Sequence, residues 1–175
     1  MDRLTDSARP LDVLCVDIVQ RYHASLHRSL PRIRDELAAL CASGSSPALS
    51  EVRIAFSNLG DLIARHLAKE EYLLFPALEA LAAAARDNGR RPATAFVTVL
   101  HPIRVMETEH ARIEAAVERL LDLALEVPEG ERVTPGWRRC LAQLADLDHE
   151  LHEYRRSENQ MLFPLALEIE RQLPL

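Results

Sequence analysis

In two stretches of the chain that match one another, a nitrogen or oxygen donor stands four residues ahead of a glutamate: His66 before Glu70, and Tyr154 before Glu158. Four residues of α-helix turn through about 400°, so each pair projects from one face, one turn apart. That face is otherwise apolar, with Leu59, Leu62, Ile63, Leu73 and Leu74 flanking the first pair and Leu147, Leu151, Met161 and Leu162 flanking the second. His23 and His110 fall on the apolar stripes of two further helical segments. Six polar side chains are therefore directed into one core. Buried carboxylates without a counter-charge are costly and repel one another, which makes metal cations their natural partners. Imidazole suits iron, zinc, copper and nickel while carboxylate suits harder ions, so the mixture points to iron, with manganese and zinc behind it. A glutamate from each of two helices can bridge two metals, leaving His23, His66, His110 and Tyr154 as terminal ligands and a coordination position open to a small molecule. One inward histidine alone would more often be a hydrogen-bonded core residue; the metal reading rests on the whole set.

The set repeats. His66-Leu-Ala-Lys-Glu70-Glu-Tyr-Leu-Leu74-Phe75-Pro76 returns 88 residues later as Tyr154-Arg-Arg-Ser-Glu158-Asn-Gln-Met-Leu162-Phe163-Pro164, and His23, Leu26, Leu30 and Ile33 fall on His110, Ile113, Val117 and Leu120 at an offset of 87. Each half is then a helix with one inward histidine followed by a helix with a donor and a glutamate, and the site should share the approximate two-fold symmetry of the fold.

Four helices would position these residues. Val16, Val19, Leu26, Leu30, Ile33, Leu37 and Leu40 recur at steps of three and four and predict a helix from Leu11 to about Leu40. Residues 42–47 carry loop chemistry, and Ser50 is the expected N-cap of a second helix reaching Arg86, closed by Asn88-Gly89. Residues 90–100 read as irregular. Pro102 suits the first turn of a third helix, with Ile103, Met106, Ile113, Val117, Leu120, Leu121 and Ala124 inward, that stops before Val127-Pro128. The fourth follows Thr134-Pro135-Gly136 and runs to about Gln172. Phe75-Pro76 and Phe163-Pro164 suggest packing and a kink, since each proline deprives the carbonyl four residues earlier of its partner. Short connections make sequential helices antiparallel, so the economical fold is an all-α, up-down-up-down four-helix bundle with an internal two-fold repeat, formed as a single domain over 1–175.

Composition narrows the function. The 21 basic and 27 acidic residues leave a net charge of −6, which argues against nucleic acid or an anionic membrane as partner. The N-terminus lacks the apolar core of a secretory signal and no apolar run approaches a membrane span, so the reading is cytoplasmic. Cys15, Cys41 and Cys140 are odd in number and show no C-x-x-C spacing, which predicts free thiols rather than disulfides or a zinc ribbon. No Ser-His-Asp arrangement, phosphate loop or Rossmann glycine pattern competes with the metal site, and the residues assign no catalytic role.

The strings Arg21-Tyr22-His23-x-x-Leu26 with Leu30-Pro31, His66-x-x-x-Glu70-Glu71-x-x-Leu74-Phe75-Pro76, Pro102-Ile103-x-Val105-Met106-Glu107-x-Glu109-His110 and Glu158-Asn159-x-x-Leu162-Phe163-Pro164 resemble the hemerythrin-like domain of the iron–sulfur cluster repair di-iron proteins. The resemblance covers nearly the whole chain. It implies two non-haem iron ions joined by an oxide or hydroxide, in a protein of the bacterial nitrosative and oxidative stress response that supplies iron for repair of damaged clusters. Iron–sulfur proteins and O2, NO or peroxide would be its partners. It also implies that His23, His66, Glu70, His110 and Glu158 are metal ligands. Two departures stand out. Such proteins commonly carry a small cysteine-containing N-terminal domain, which is not expected here because helix one begins almost at once. And position 154, where both the family pattern and the internal repeat call for histidine, holds tyrosine. As a phenolate Tyr154 would subtract one more charge from the metal core than imidazole does and favour Fe(III), which keeps open a redox enzyme consuming peroxide or another small oxidant. An O2- or NO-binding sensor or store is a further alternative. His149 and His152 point about 180° and 120° away from Glu158 and are expected at the surface, with His27 and His101 outside the ligand set.

Overall fold

The computed structural model describes residues 9–42 and 46–174, so Ser43–Ser45 of the expected first loop and the N-terminal octapeptide lie outside the described residues. Four rods form the bundle. The first comprises α1 (Leu11–Ile18), a π-helical turn π1 (Val19–His23) and α2 (Ala24–Ala42); the second α3 (Pro47–Lys69), π2 (Glu70–Leu74) and α4 (Phe75–Arg86). The third is the uninterrupted α5 (Leu100–Leu125). After the short α6 (Glu129–Arg132) the fourth joins α7 (Pro135–Ser157), π3 (Glu158–Leu162) and α8 (Phe163–Gln172). α2 packs on α3 and α1 on α4, as an antiparallel pair requires, while α3 lies against α5 and α2 against α7. The up-down-up-down order follows. Among the described residues there is no strand, and no helix is long and apolar enough to cross a membrane.

The ends show why the helices sit where they do. Ser46, not Ser50, caps α3: its hydroxyl accepts from the Leu49 N–H at 3.3 Å, and Pro47 takes the first helical position, where its missing N–H costs nothing. Ser46 is itself held by Glu131, which accepts from its amide at 2.8 Å and its hydroxyl at 2.9 Å. That is the work of α6, which periodicity could not reveal in four residues. Asn88 takes the left-handed conformation (φ 50°), and the Gly89 and Asn88 amides return to the Ala84 and Ala85 carbonyls, a Schellman stop for α4. Thr134 caps α7, its hydroxyl accepting from the Trp137 amide at 3.3 Å, so the helix begins at Pro135 and not after Gly136. Gly136 lets that helix start against the first rod, since a Cβ there would lie 2.8 Å from Leu40 Cδ2. The irregular segment before α5 is tied down by the buried Glu170 of α8, which accepts from the Val99 amide at 2.9 Å and the Thr98 hydroxyl at 2.6 Å.

The π turns correct three expectations. In each, an N–H reaches back five residues instead of four: Ala24 to Val19, Phe75 to Glu70 and Phe163 to Glu158. One extra residue in the turn shifts the apolar stripe by one position. Upstream of π1 the inward residues are therefore Leu11, Leu14, Cys15 and Ile18, and Val16, expected inward, is 45% exposed. Within π2 and π3, Leu73 and Met161 fall short of a full revolution from their glutamates and face outward, whereas Leu74 and Leu162 are buried. The disturbance expected at Pro76 and Pro164 takes the form of a π turn just ahead of each proline. The third correction concerns symmetry: α5, the counterpart of the first rod, has no π turn beside His110.

Candidate metal centre

All six expected residues meet in the bundle core. His23, Glu70 and Glu158 are fully enclosed, and His66, His110 and Tyr154 nearly so. One donor atom from each of His66, Glu70, His110 and Glu158 lies within 4.8 Å of those of the other three, the spacing of ligands about a shared cation. His66 Nε2 is 3.1 Å from Glu70 Oε1, and His110 Nε2 is 3.0 Å from Glu158 Oε2, yet neither contact has hydrogen-bond geometry. His66 Nε2, His110 Nε2, Glu70 Oε1 and both Glu158 oxygens have no hydrogen-bond partner. Buried polar atoms are almost always satisfied, so five orphans converging on one point call for a cation.

Glu70 has a second side. Its Oε2 accepts from the Tyr154 hydroxyl and lies 3.1 Å from His23 Nε2, while that hydroxyl is 3.2 Å from the same imidazole nitrogen. The four residues other than the two glutamates thus divide into two groups, one at each oxygen of Glu70: His66 with His110, and His23 with Tyr154. Each group takes one member from either half of the chain, and the pseudo-two-fold that exchanges the halves exchanges the groups.

An outer set of contacts repeats the same symmetry. His23 Nδ1 is 2.8 Å from Glu71, and His110 Nδ1 is 3.2 Å from Asn159, the residues just after Glu70 and Glu158. His23 stacks on Phe75 and His110 on Phe163, with ring centroids 5.6 and 6.1 Å apart, so the Leu-Phe-Pro motifs wall the histidines of their own halves. His66 Nδ1 is 3.1 Å from Glu109, which also pairs with Lys69. These acceptors hold Nδ1 as the protonated nitrogen and leave Nε2 to face the centre. The position equivalent to Glu109 is Tyr22, whose ring lies 5.6 Å from that of Tyr154. A phenol has no second nitrogen to satisfy, and where tyrosine replaces histidine at 154 a ring replaces the carboxylate at 22. Glu71, Glu109, Asn159 and Tyr22 were not assigned roles from periodicity; their signal was adjacency in sequence to a ligand-type residue.

Electrostatics reinforce the geometry. Burial and the charge of Glu70 push the Glu158 carboxyl well above its usual range. For Glu70 burial acts upward too, but the close approach of His23 and His66 and the hydrogen bond from Tyr154 outweigh it and hold it down at about 2. Burial, with His66's charge behind it, lowers His110 to about 4. At His66 burial opposes protonation, and Glu70 and Glu109 outweigh it. Burial and the charges of Glu158 and Glu70 raise Tyr154 well above 10. A cation would reverse the upward shifts of Glu158 and Tyr154 and reinforce the downward one of Glu70. The remaining histidines behave as the phasing requires: His27, His101, His149 and His152 are exposed. The three cysteines are free, with Cys15 and Cys140 buried.

Comparison with known proteins agrees with this picture. The hemerythrin HHE cation binding domain matches residues 15–96. The iron–sulfur cluster repair protein YtfE of Edwardsiella ictaluri is 31% identical over 162 residues, spanning 90% of this chain and 66% of that protein. YtfE of Musicola paradisiaca is 30% identical over 91% of this chain and 67% of its own length. The iron–sulfur cluster repair protein DnrN of Neisseria gonorrhoeae is 28% identical over 92% of this chain and 94% of its own. The chain spans about two thirds of the length of the first two and nearly all of the third.

Proposed function

The chain belongs to the iron–sulfur cluster repair protein family, and from that premise we propose that its buried cluster holds two iron ions and that the protein supplies iron for repair of damaged iron–sulfur clusters under nitrosative and oxidative stress. The observation that carries the proposal is the convergence of five unpaired donor atoms from His66, Glu70, His110 and Glu158. In this reading His66 and His110 hold one ion, His23 and Tyr154 the other, and Glu70 and Glu158 are shared between them. Bound there, iron supplies one-electron chemistry and a releasable ion. The chain's own residues do the rest. Glu71, Glu109 and Asn159 aim the imidazoles, and Phe75 and Phe163 keep water from the His23 and His110 faces. The whole chain, 1–175, would act as one di-iron domain in the cytoplasm, with iron–sulfur proteins as recipients and NO, O2 or peroxide as the small molecules it meets. The gonococcal relative, named for the same repair, is matched over 94% of its length, in keeping with repair by a chain of this reach.

A second reading, consumption of peroxide or another small oxidant, is favoured by Tyr154, because an anionic phenolate stabilises Fe(III) against reduction. Iron analysis with cluster-repair and peroxide assays separates the two. The site assignment is tested by four substitutions: His66→Ala and His110→Ala should deplete iron, whereas His149→Ala and His152→Ala should not. Equal loss in all four would overturn it.

A further inference from the structure

Beside the cluster, between α5 and α7, lies a cavity whose inner end is formed by His110 and Tyr154 and whose walls are Ile113, Val117 and Leu151. All five are buried, while His152 and Asp148, which also line it, are exposed, so the space runs from the centre towards the surface. Its volume is about 40 Å³, on a scale where one water takes roughly 10–15 Å³. That admits a molecule of two or three heavy atoms. Across the outer end Arg155 of α7 pairs with Glu114 of α5 and donates to His152 Nδ1 at 3.3 Å.

We propose that this cavity is the port by which neutral molecules of two or three heavy atoms, the class of NO, O2 and hydrogen peroxide, reach the His110–Tyr154 edge of the centre, with the Arg155–Glu114 pair as its bar. Three aliphatic side chains make the inner passage, and a free ion crossing it would shed its hydration without a replacement partner. Iron and anions are therefore refused here, and size excludes larger organic oxidants. The site this port serves is the centre of the preceding section, and in that respect the inference rests on the iron reading.

Xenon, neutral and apolar, tests the port independently of iron. Crystals of the purified protein under xenon pressure should show it between Ile113, Val117 and Leu151, and the filling variants Val117→Phe and Leu151→Phe, one on each wall, should exclude it. In the same variants NO association with the iron-loaded protein, followed by stopped flow, should slow about tenfold or more, a barrier rise of about 1.4 kcal/mol or more, with iron content unchanged. Removing the bar by Arg155→Ala should speed association. If one filling variant fails to fold, the other carries the test. Xenon absent from the cavity of the wild-type protein, or unchanged NO association in a folded variant that excludes xenon, would overturn the port. A protein that takes up xenon but shows no iron-dependent NO signal would instead defeat the iron reading.

Discussion

Glu158 stands between a proton and a metal. Without metal, burial and Glu70 raise its pKa, whereas in the unfolded chain it would ionise in the ordinary carboxylate range. The folded chain therefore binds a proton that the unfolded chain loses, and this contribution to stability, complete below the ordinary range, fades as pH rises towards the raised value. Glu158→Gln, which cannot ionise, should gain in thermal stability on the metal-free wild type as pH increases from about 5 to 8. Calorimetry of both metal-free proteins checks this, and a stability difference that does not change with pH would contradict it. Tyr154 makes the sharper chemical test. If its phenolate binds Fe(III), the oxidised protein should show a phenolate-to-iron absorption band that Tyr154→Phe abolishes without unfolding the bundle, since ring volume barely changes. Tyr154→His should raise the reduction potential by exchanging an anionic donor for a neutral one. Unchanged spectra in both variants would reduce Tyr154 to a core residue. These six residues were legible in the sequence because donors spaced by one helical turn on an apolar face stand out against leucine and alanine. Their hydrogen-bonding partners were not, because Glu71, Glu109 and Asn159 act across helices, and a one-dimensional pattern does not say which helices touch.

The helices themselves were legible to within a turn, and the deviations share one cause. A stripe of every third or fourth residue presumes an unbroken α-helix, so Val16 was expected inward with Val19 on the strength of Leu26 and Leu30, yet only Val19 packs, partly buried, against the core. The residue added in π1 moves the inward set to Cys15 and Ile18 and brings Tyr22 and His23 together onto the core. Nothing in Val19–His23 announces this turn; no proline stands close behind it, as one does behind π2 and π3. Deleting the exposed Gln20 should close π1 into an α-turn and rotate α1 by about 100°. Either Cys15 and Ile18 would then be exposed and Val16 buried, or the rod would lose its packing on α4. We expect a large fall in melting temperature and loss of iron from the His23 side. A deletion variant with wild-type stability and iron content would mean that π1 has no part in aiming His23.

At the scale of the whole molecule, the internal repeat is a symmetry of the site more than of the backbone. The operation that exchanges the halves carries His23 to His110, Glu70 to Glu158 and Phe75 to Phe163, and it breaks where π1 lacks a counterpart and where Tyr154 faces His66. Bundle and repeat were readable because each is written in spacing. The pairing of donors across halves was not, since either half could have closed on itself; only packing shows Glu70 presenting one oxygen to His66 and the other to His23 and Tyr154. That placement is the basis for two ions sharing one carboxylate, and it leads to the most direct measurement: iron per chain in the purified wild type and in Glu70→Ala. The account predicts two irons per wild-type chain and loss of both together in the variant. One iron per wild-type chain, or a Glu70→Ala protein that keeps its full complement, would contradict it.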